Sequence, residues 1–121
     1  MRLRDLEAKF LANPTTKGHD VVDDKMAGSS GIIVLCPACH AKNGGPVGTH
    51  SVICWWTGVP QEISPSPGRW NPSGTGLDDL TFVGPGAVSV ALNPSTPPPK
   101  VGEPDVCRWH GHVRNGEATL T

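Results

Sequence analysis

Proline and glycine punctuate this chain so densely that little of it can be helical. Fifteen glycines and thirteen prolines fall among 121 residues, a density near that at which low-complexity character begins. Proline removes a backbone donor from a helix and glycine loses more conformational freedom there than any other residue. Only residues 1–12 (MRLRDLEAKFLA) suit a helix: Leu3, Leu6, Phe10 and Leu11 fall at helical spacing, and Asn13-Pro14 stops the pattern. Residues 15–30 are polar and Gly/Ser-rich. The spacing therefore predicts an N-terminal helix or extended arm over 1–30 and a separate β domain over 31–121.

Strand signals dominate the rest. Gly31-Ile-Ile-Val-Leu35 is a β-branched run that feeds directly into Cys36. From His50 to Thr57, alternation puts Val52, Cys54 and Trp56 on one face and Ser51, Ile53 and Trp55 on the other. Both faces are apolar, so both must be covered, one of them by another molecule if the chain does not do it. Leu80–Val83 and Ala87–Leu92 are further strand candidates, and Asn93-Pro-Ser-Thr-Pro-Pro-Pro99 reads as a stiff polyproline-like connector. Near the end, Asn115-Gly116 separates Arg108–Arg114 from Glu117–Thr121, the strongest short hairpin signal available. The fold class is mostly β: a small zinc-ribbon-like β domain with a short N-terminal helix or arm and long Pro/Gly loops.

Such a chain is short of core. Hydrophobic residues make up 36%, with two Phe, no Tyr and four Trp, and a domain this size buries only roughly 60–70% of its unfolded surface. A staple or a partner surface is expected to supply the difference. Ten basic and eleven acidic residues give a net charge of −1, without the basic excess that nucleic-acid binders display. The Met-Arg-Leu-Arg start is too brief for a signal, and no apolar run approaches the roughly 20 residues of a membrane span. A reducing compartment is expected, in which a tight C-x-x-C pair reads as metal ligands before disulfides.

Cys36-Pro-Ala-Cys39 has the form of a zinc knuckle: a strand delivers the first thiolate, and two intervening residues let both sulfurs reach one ion at ~2.3 Å. The second half of the site is expected from Cys107-Arg-Trp-His110, a C-x-x-H pair just before the terminal hairpin. In a regular strand positions 107 and 110 face opposite ways, so Cys107 must precede the strand proper. The predicted set is Cys36, Cys39, Cys107 and His110, with His112, His50 and Cys54 in reserve. Plainer readings stand beside it: Cys36 and Cys39 as a reduced or redox pair, Cys107 as a small buried hydrophobe, and Cys54 as core packing between Ile53 and Trp55. His19 and His40 read as solvent-facing. A Cys3His set is closed, with no position for water or substrate, so the zinc would be structural, contributing on the order of 10 kcal/mol to folding.

Several of these features recur together in one family. The knuckle, a His opening the next strand (His50), Arg69-Trp70, Leu80-Thr81-Phe82 and the run from Cys107 to Glu117, C-x-W-H-G-x-V-x-N-G-E, resemble small metal-binding proteins common in tailed-phage genomes. Members are often labelled ammonia monooxygenase, a misplaced label. The similarity spans roughly residues 30–121, with the terminal motif its most specific part. It implies a compact β fold around zinc and supports Cys107 and His110 as ligands. The longer tail of some members, with a further Cys and His, is absent here, and the position of Cys54 looks like an ordinary apolar strand position.

The functional expectation is a non-enzymatic phage structural or accessory protein with a structural zinc, a virion component such as a capsid decoration (cement) protein. Its partners would be capsid or other virion proteins, and it would reside in the virion and, during assembly, in the host cytoplasm. Trp55, Trp56, Trp70 and Trp109 serve this reading as interface anchors or, equally, as core around the zinc. One alternative is a zinc-ribbon adaptor binding a host protein or nucleic acid, with Arg69, Arg108 and Arg114 as a small patch. A zinc-dependent hydrolase with Glu117 or Asp78-Asp79 as base is the other, and no H-E-x-x-H or H-x-E…P-C-x-x-C signature supports it. The oligomeric state is not legible.

Overall fold

The computed structural model describes residues 1–65, 68–83, 87–91 and 108–119, with residues 87–91, 108 and 110 described in backbone alone. The protein is mostly β. Its strands are β1 (Lys9–Thr15), β2 (Gly18–Val21), β3 (Gly31–Leu35), β4 (Ser51–Trp55), β5 (Asn71–Ser73), β6 (Thr81–Val83), β7 (Ala87–Ala91), β8 (Arg108–Arg114) and β9 (Glu117–Ala118). A 3-10 turn, Leu3–Leu6, and one helix, α1 (Pro37–Asn43), complete the described elements. No helix among the described residues is long and apolar enough to cross a membrane.

Four strands form an antiparallel sheet in the order β2-β1-β3-β4; β5 pairs with β6, and β7, β8 and β9 form a third sheet in that order. The β3–β4 register runs from Gly31 opposite Trp55 to Leu35 opposite Ser51. Gly31 is the residue this crossing needs, because a Cβ there would meet the Trp55 ring and the Cys54 carbonyl. The terminal hairpin forms as its Asn-Gly signal predicts. Asn115 (φ 51°) and Gly116 (φ 77°) both take the left-handed conformation of a tight hairpin turn, and Val113 pairs with Ala118.

The N-terminal segment departs from expectation. Helical geometry is confined to Leu3–Leu6, and residues 9–15 are strand rather than helix. Nor are residues 1–23 an arm standing off the body. Lys9–Leu11 pair with Gly31–Ile33, Leu3 donates its N–H to the Gly116 carbonyl at 2.9 Å, and Ala118 donates to Met1 at 2.8 Å. Leu3, Leu6, Phe10 and Leu11 are all buried. Pro14 sits at a bulge in the β1–β2 pairing, beyond the last residue paired with β3, where a missing N–H costs least.

The main core fills the inner face of the four-stranded sheet. Phe10, Ile32, Val34, Val52, Cys54 and Trp56 pack against Leu3, Leu6, Trp70, Leu77, Leu80, Phe82, Trp109 and Val113. Phe82 is stacked on Trp70 and meets Trp56 edge-on, with centroids 5.8 and 5.7 Å apart. On the outer face a second cluster joins Leu11, Trp55 and Ile63, with Ile33, Ile53 and Val59 beside it. The alternation read from His50–Thr57 is therefore right, and the chain itself covers part of the second face with residues 59–63.

That cover is held by Arg69. Its guanidinium donates to the carbonyls of Val59 (2.9 Å), Pro60 (2.7 Å), Ile63 (2.9 Å), Pro65 (2.8 Å) and Gly68 (2.8 Å). Trp55 Nε1 donates to the Ser64 carbonyl at 2.8 Å. All four tryptophans are buried, and the indoles of Trp56 and Trp109 donate to Ser29 Oγ and the Thr119 carbonyl. The tryptophans are core, so they no longer count as anchors for a partner.

Candidate metal centre

The knuckle sits where β3 passes into α1. Cys36 is the N-cap residue of α1, Pro37 occupies the first turn, and His40 donates its N–H to the Cys36 carbonyl at 2.9 Å. The Cys36 side chain makes no capping hydrogen bond to the helix. Proline at the start of a helix costs nothing, since that N–H has no intrahelical acceptor. Helical curvature from the N-cap then brings Cys39, half-buried, back toward the strand end, while Cys36 is fully buried. Gly44, in the left-handed conformation, ends the helix.

Across from the knuckle stands His50. Cys36 donates its backbone N–H to the His50 carbonyl at 2.9 Å, extending the β3–β4 ladder one pair beyond Leu35–Ser51. Because side chains alternate, this pair falls on the same inner face as Val34 and Val52. The Sγ atoms of Cys36 and Cys39 and a ring nitrogen of His50 lie within 4.8 Å of one another. Ligands of one tetrahedral ion with sulfurs at ~2.3 Å would stand about 3.8 Å apart, so the group has the dimensions of a metal site.

Two further observations bear on its chemistry. Both ring nitrogens of His50 are buried and neither has a hydrogen-bond partner. An orphaned buried polar atom of this kind costs about 1–3 kcal/mol. A metal ion bonded to one nitrogen removes part of that cost, and the two sulfurs supply the soft donors that suit zinc. The donor set therefore fits. Second, Cys36 is a thiol, whereas Cys39 is in a disulfide. A metal takes thiolates, so ligation by Cys39 requires its reduced form.

The sequence-derived set is thus partly assembled. Cys36 and Cys39 come together, and His50, held in reserve from sequence, joins them. Cys107 and the side chain of His110 lie outside the described residues. His112 and Cys54, the other reserves, are not in the group. Cys54 is buried opposite Ile32, and burial pushes its thiol up to about 12, leaving it a neutral core residue. The signal that points to His50 was available: if β3 and β4 pair as neighbours, Cys36 and His50 are the two ends of their connection and must face each other.

The carboxylates considered as a catalytic base are engaged elsewhere or exposed. Asp78 accepts a two-point contact from Arg4 at 2.6 and 3.0 Å, which holds its carboxyl below the usual range. Asp79 accepts the N–H groups of Thr75 and Gly76 and the Thr75 hydroxyl, and these bonds hold it low as well. Glu117 is exposed on β9. Among the described residues no carboxylate joins the Cys36–Cys39–His50 group. Compared with protein-family models, with curated proteins and with solved structures, the chain matches none.

Proposed function

We propose that this protein is a non-catalytic structural module whose small core is stapled by one zinc ion, and that Cys36, Cys39 and His50 are three of its ligands. The observation that carries the reading is the His50 imidazole, buried with both nitrogens unsatisfied beside two cysteine sulfurs. The fourth ligand comes from the C-terminal segment, with Cys107 the favoured residue and His110 its alternative. Support for this lies in the packing of α1, which carries Cys39, against β8. Four protein ligands close the coordination sphere with either residue and leave the ion a structural role. The engagement of Asp78 and Asp79 elsewhere favours that role over hydrolysis.

On the biological side the reading is a phage virion accessory protein of the decoration type, binding capsid or other virion proteins. Its support is the resemblance of the terminal C-x-W-H-G-x-V-x-N-G-E run together with a near-neutral charge, which disfavours nucleic acid as partner. Two measurements test the two halves separately. Native mass spectrometry of the reduced protein should show one zinc per chain, removed by a chelator; a metal-free reduced chain would refute the staple. Quantitative proteomics of purified particles should find the protein at a fixed ratio to the capsid subunit; its absence from particles would refute the virion role and leave the staple standing.

A further inference from the structure

Metal and disulfide compete for one sulfur in this site. The Cys39 sulfur lies within 4.8 Å of the Cys36 sulfur and of a His50 ring nitrogen, and Cys39 is in a disulfide. A sulfur bonded to another sulfur has no thiolate charge to offer a metal. Its neighbour in the knuckle is not the partner, because Cys36 is a thiol, and so is Cys54. The sequence holds four cysteines, so within one chain the sulfur left to bond Cys39 is that of Cys107. Cys107 lies outside the described residues, and its assignment follows from this count. The described backbone agrees with it: α1, which carries Cys39, packs against β8, whose first residue is Arg108.

A Cys39–Cys107 bond ties the same two parts of the chain as the zinc ion, the knuckle and the C-terminal segment. We propose that the two are interchangeable staples: zinc joins these parts when both cysteines are thiolates, and the Cys39–Cys107 disulfide joins them after oxidation. The inference rests on the zinc reading above and adds the regulation of that site by redox state. A link between such distant residues closes a long loop, the case in which a disulfide restricts the unfolded chain most.

The oxidant is a peroxide. Cys39 is half-buried where Cys36 is fully buried, so Cys39 is the knuckle sulfur it reaches. The Cys39 thiolate attacks one peroxide oxygen, the O–O bond breaks, and a sulfenic acid forms as hydroxide leaves. The Cys107 thiolate then attacks that sulfur, the S–S bond forms and a second hydroxide leaves. Two electrons have passed from the sulfurs to the peroxide oxygens, and two protons from solvent turn both hydroxides to water. Cys36 and His50 remain as donors, too few to keep the ion. For a virion protein the exchange has a use, since a reducing cytoplasm favours the zinc form and an extracellular particle meets oxidising conditions.

The test starts from the whole chain, reduced, with its zinc content fixed by native mass spectrometry. Hydrogen peroxide is added in steps; a chromogenic chelator reads released zinc, and non-reducing peptide mapping reports the disulfide. Zinc release should follow Cys39–Cys107 formation one for one, and dithiothreitol with added zinc should restore the starting state. With chelator present, the oxidised chain should melt about 10 °C or more above the reduced chain. Cys54→Ala should show the same zinc release and the same disulfide. A Cys36–Cys39 or interchain disulfide would overturn the proposal. So would zinc retained once Cys39–Cys107 has formed, or an oxidised chain no more stable than the reduced one under chelator. Each of these leaves the zinc reading standing, whereas a reduced chain without zinc at the outset would refute that reading and the exchange with it.

Discussion

Two cysteines on the same face of the same strand pair have different fates. Cys36 stands at the end of the β3–β4 ladder, opposite His50 and one helical turn from Cys39. Cys54 stands four pairs further in, opposite Ile32, among Phe10, Val34 and the buried tryptophans. Both are about 1% exposed or less, so burial alone does not separate a ligand from a hydrophobe. What separates them is the cross-strand neighbour. Cys36 stands among groups that can share a metal ion, whereas the Cys54 thiol faces isoleucine and keeps its proton.

The largest predicted effect falls on the first of these thiols. Cys36→Ala or His50→Ala should abolish stoichiometric zinc binding, measured by native mass spectrometry, and lower the melting temperature by on the order of 10 °C or more, since a few kcal/mol displaces a domain of this size by that much. Cys54→Ala should leave zinc stoichiometry intact and cost about 1–2 kcal/mol in denaturant unfolding, the loss of a small buried side chain. Equal effects of the two substitutions on zinc would erase the distinction between the sites.

Redox state should sharpen it next. Cys39 must be a thiolate to hold a metal, so protein prepared without reductant, with Cys39 in its disulfide, should take up little zinc. Reduction should restore one equivalent. Full zinc occupancy in the oxidised chain would mean that Cys39 is not a ligand.

An effect confined to alkali concerns Cys54 itself. The Cys54 thiol is raised to about 12 in the folded chain by burial, whereas an unfolded cysteine ionises near 8.5. Deprotonation thus favours the unfolded chain: the full stability holds below pH ~8.5 and falls as pH climbs toward 12. Cys54→Ala should flatten that part of the stability-against-pH curve, followed by urea titration at stepped pH. An unchanged slope would show that Cys54 does not control it.

How much of this was legible in the sequence follows the same logic of neighbours. The β3 run and the Asn115-Gly116 hairpin were readable because their signals are local, a β-branched stretch and a turn that needs two left-handed residues. The Cys36–Cys39 pair was readable for the same reason. Residues 9–15 were not, because β1 is an interior strand with Phe10, Leu11 and Ala12 buried in succession, and a strand covered on both faces loses the period of two. What remained was the spacing of Leu3, Leu6 and Phe10, which imitates a helix. The role of Arg69 was hidden because its partners are five backbone carbonyls, which no side-chain pattern announces. His50 was placed in reserve rather than in the ligand set because its nearness to Cys36 depends on strand pairing, whereas Cys107-Arg-Trp-His110 offered a spacing visible in one dimension.

The most direct measurement is zinc K-edge X-ray absorption on the reduced, zinc-loaded protein, wild type against His50→Ala. The wild type should show sulfur at ~2.3 Å and an imidazole nitrogen at ~2.0 Å, with the imidazole signature lost in the variant. An undiminished imidazole signal in His50→Ala would place a different histidine on the metal and contradict the assignment.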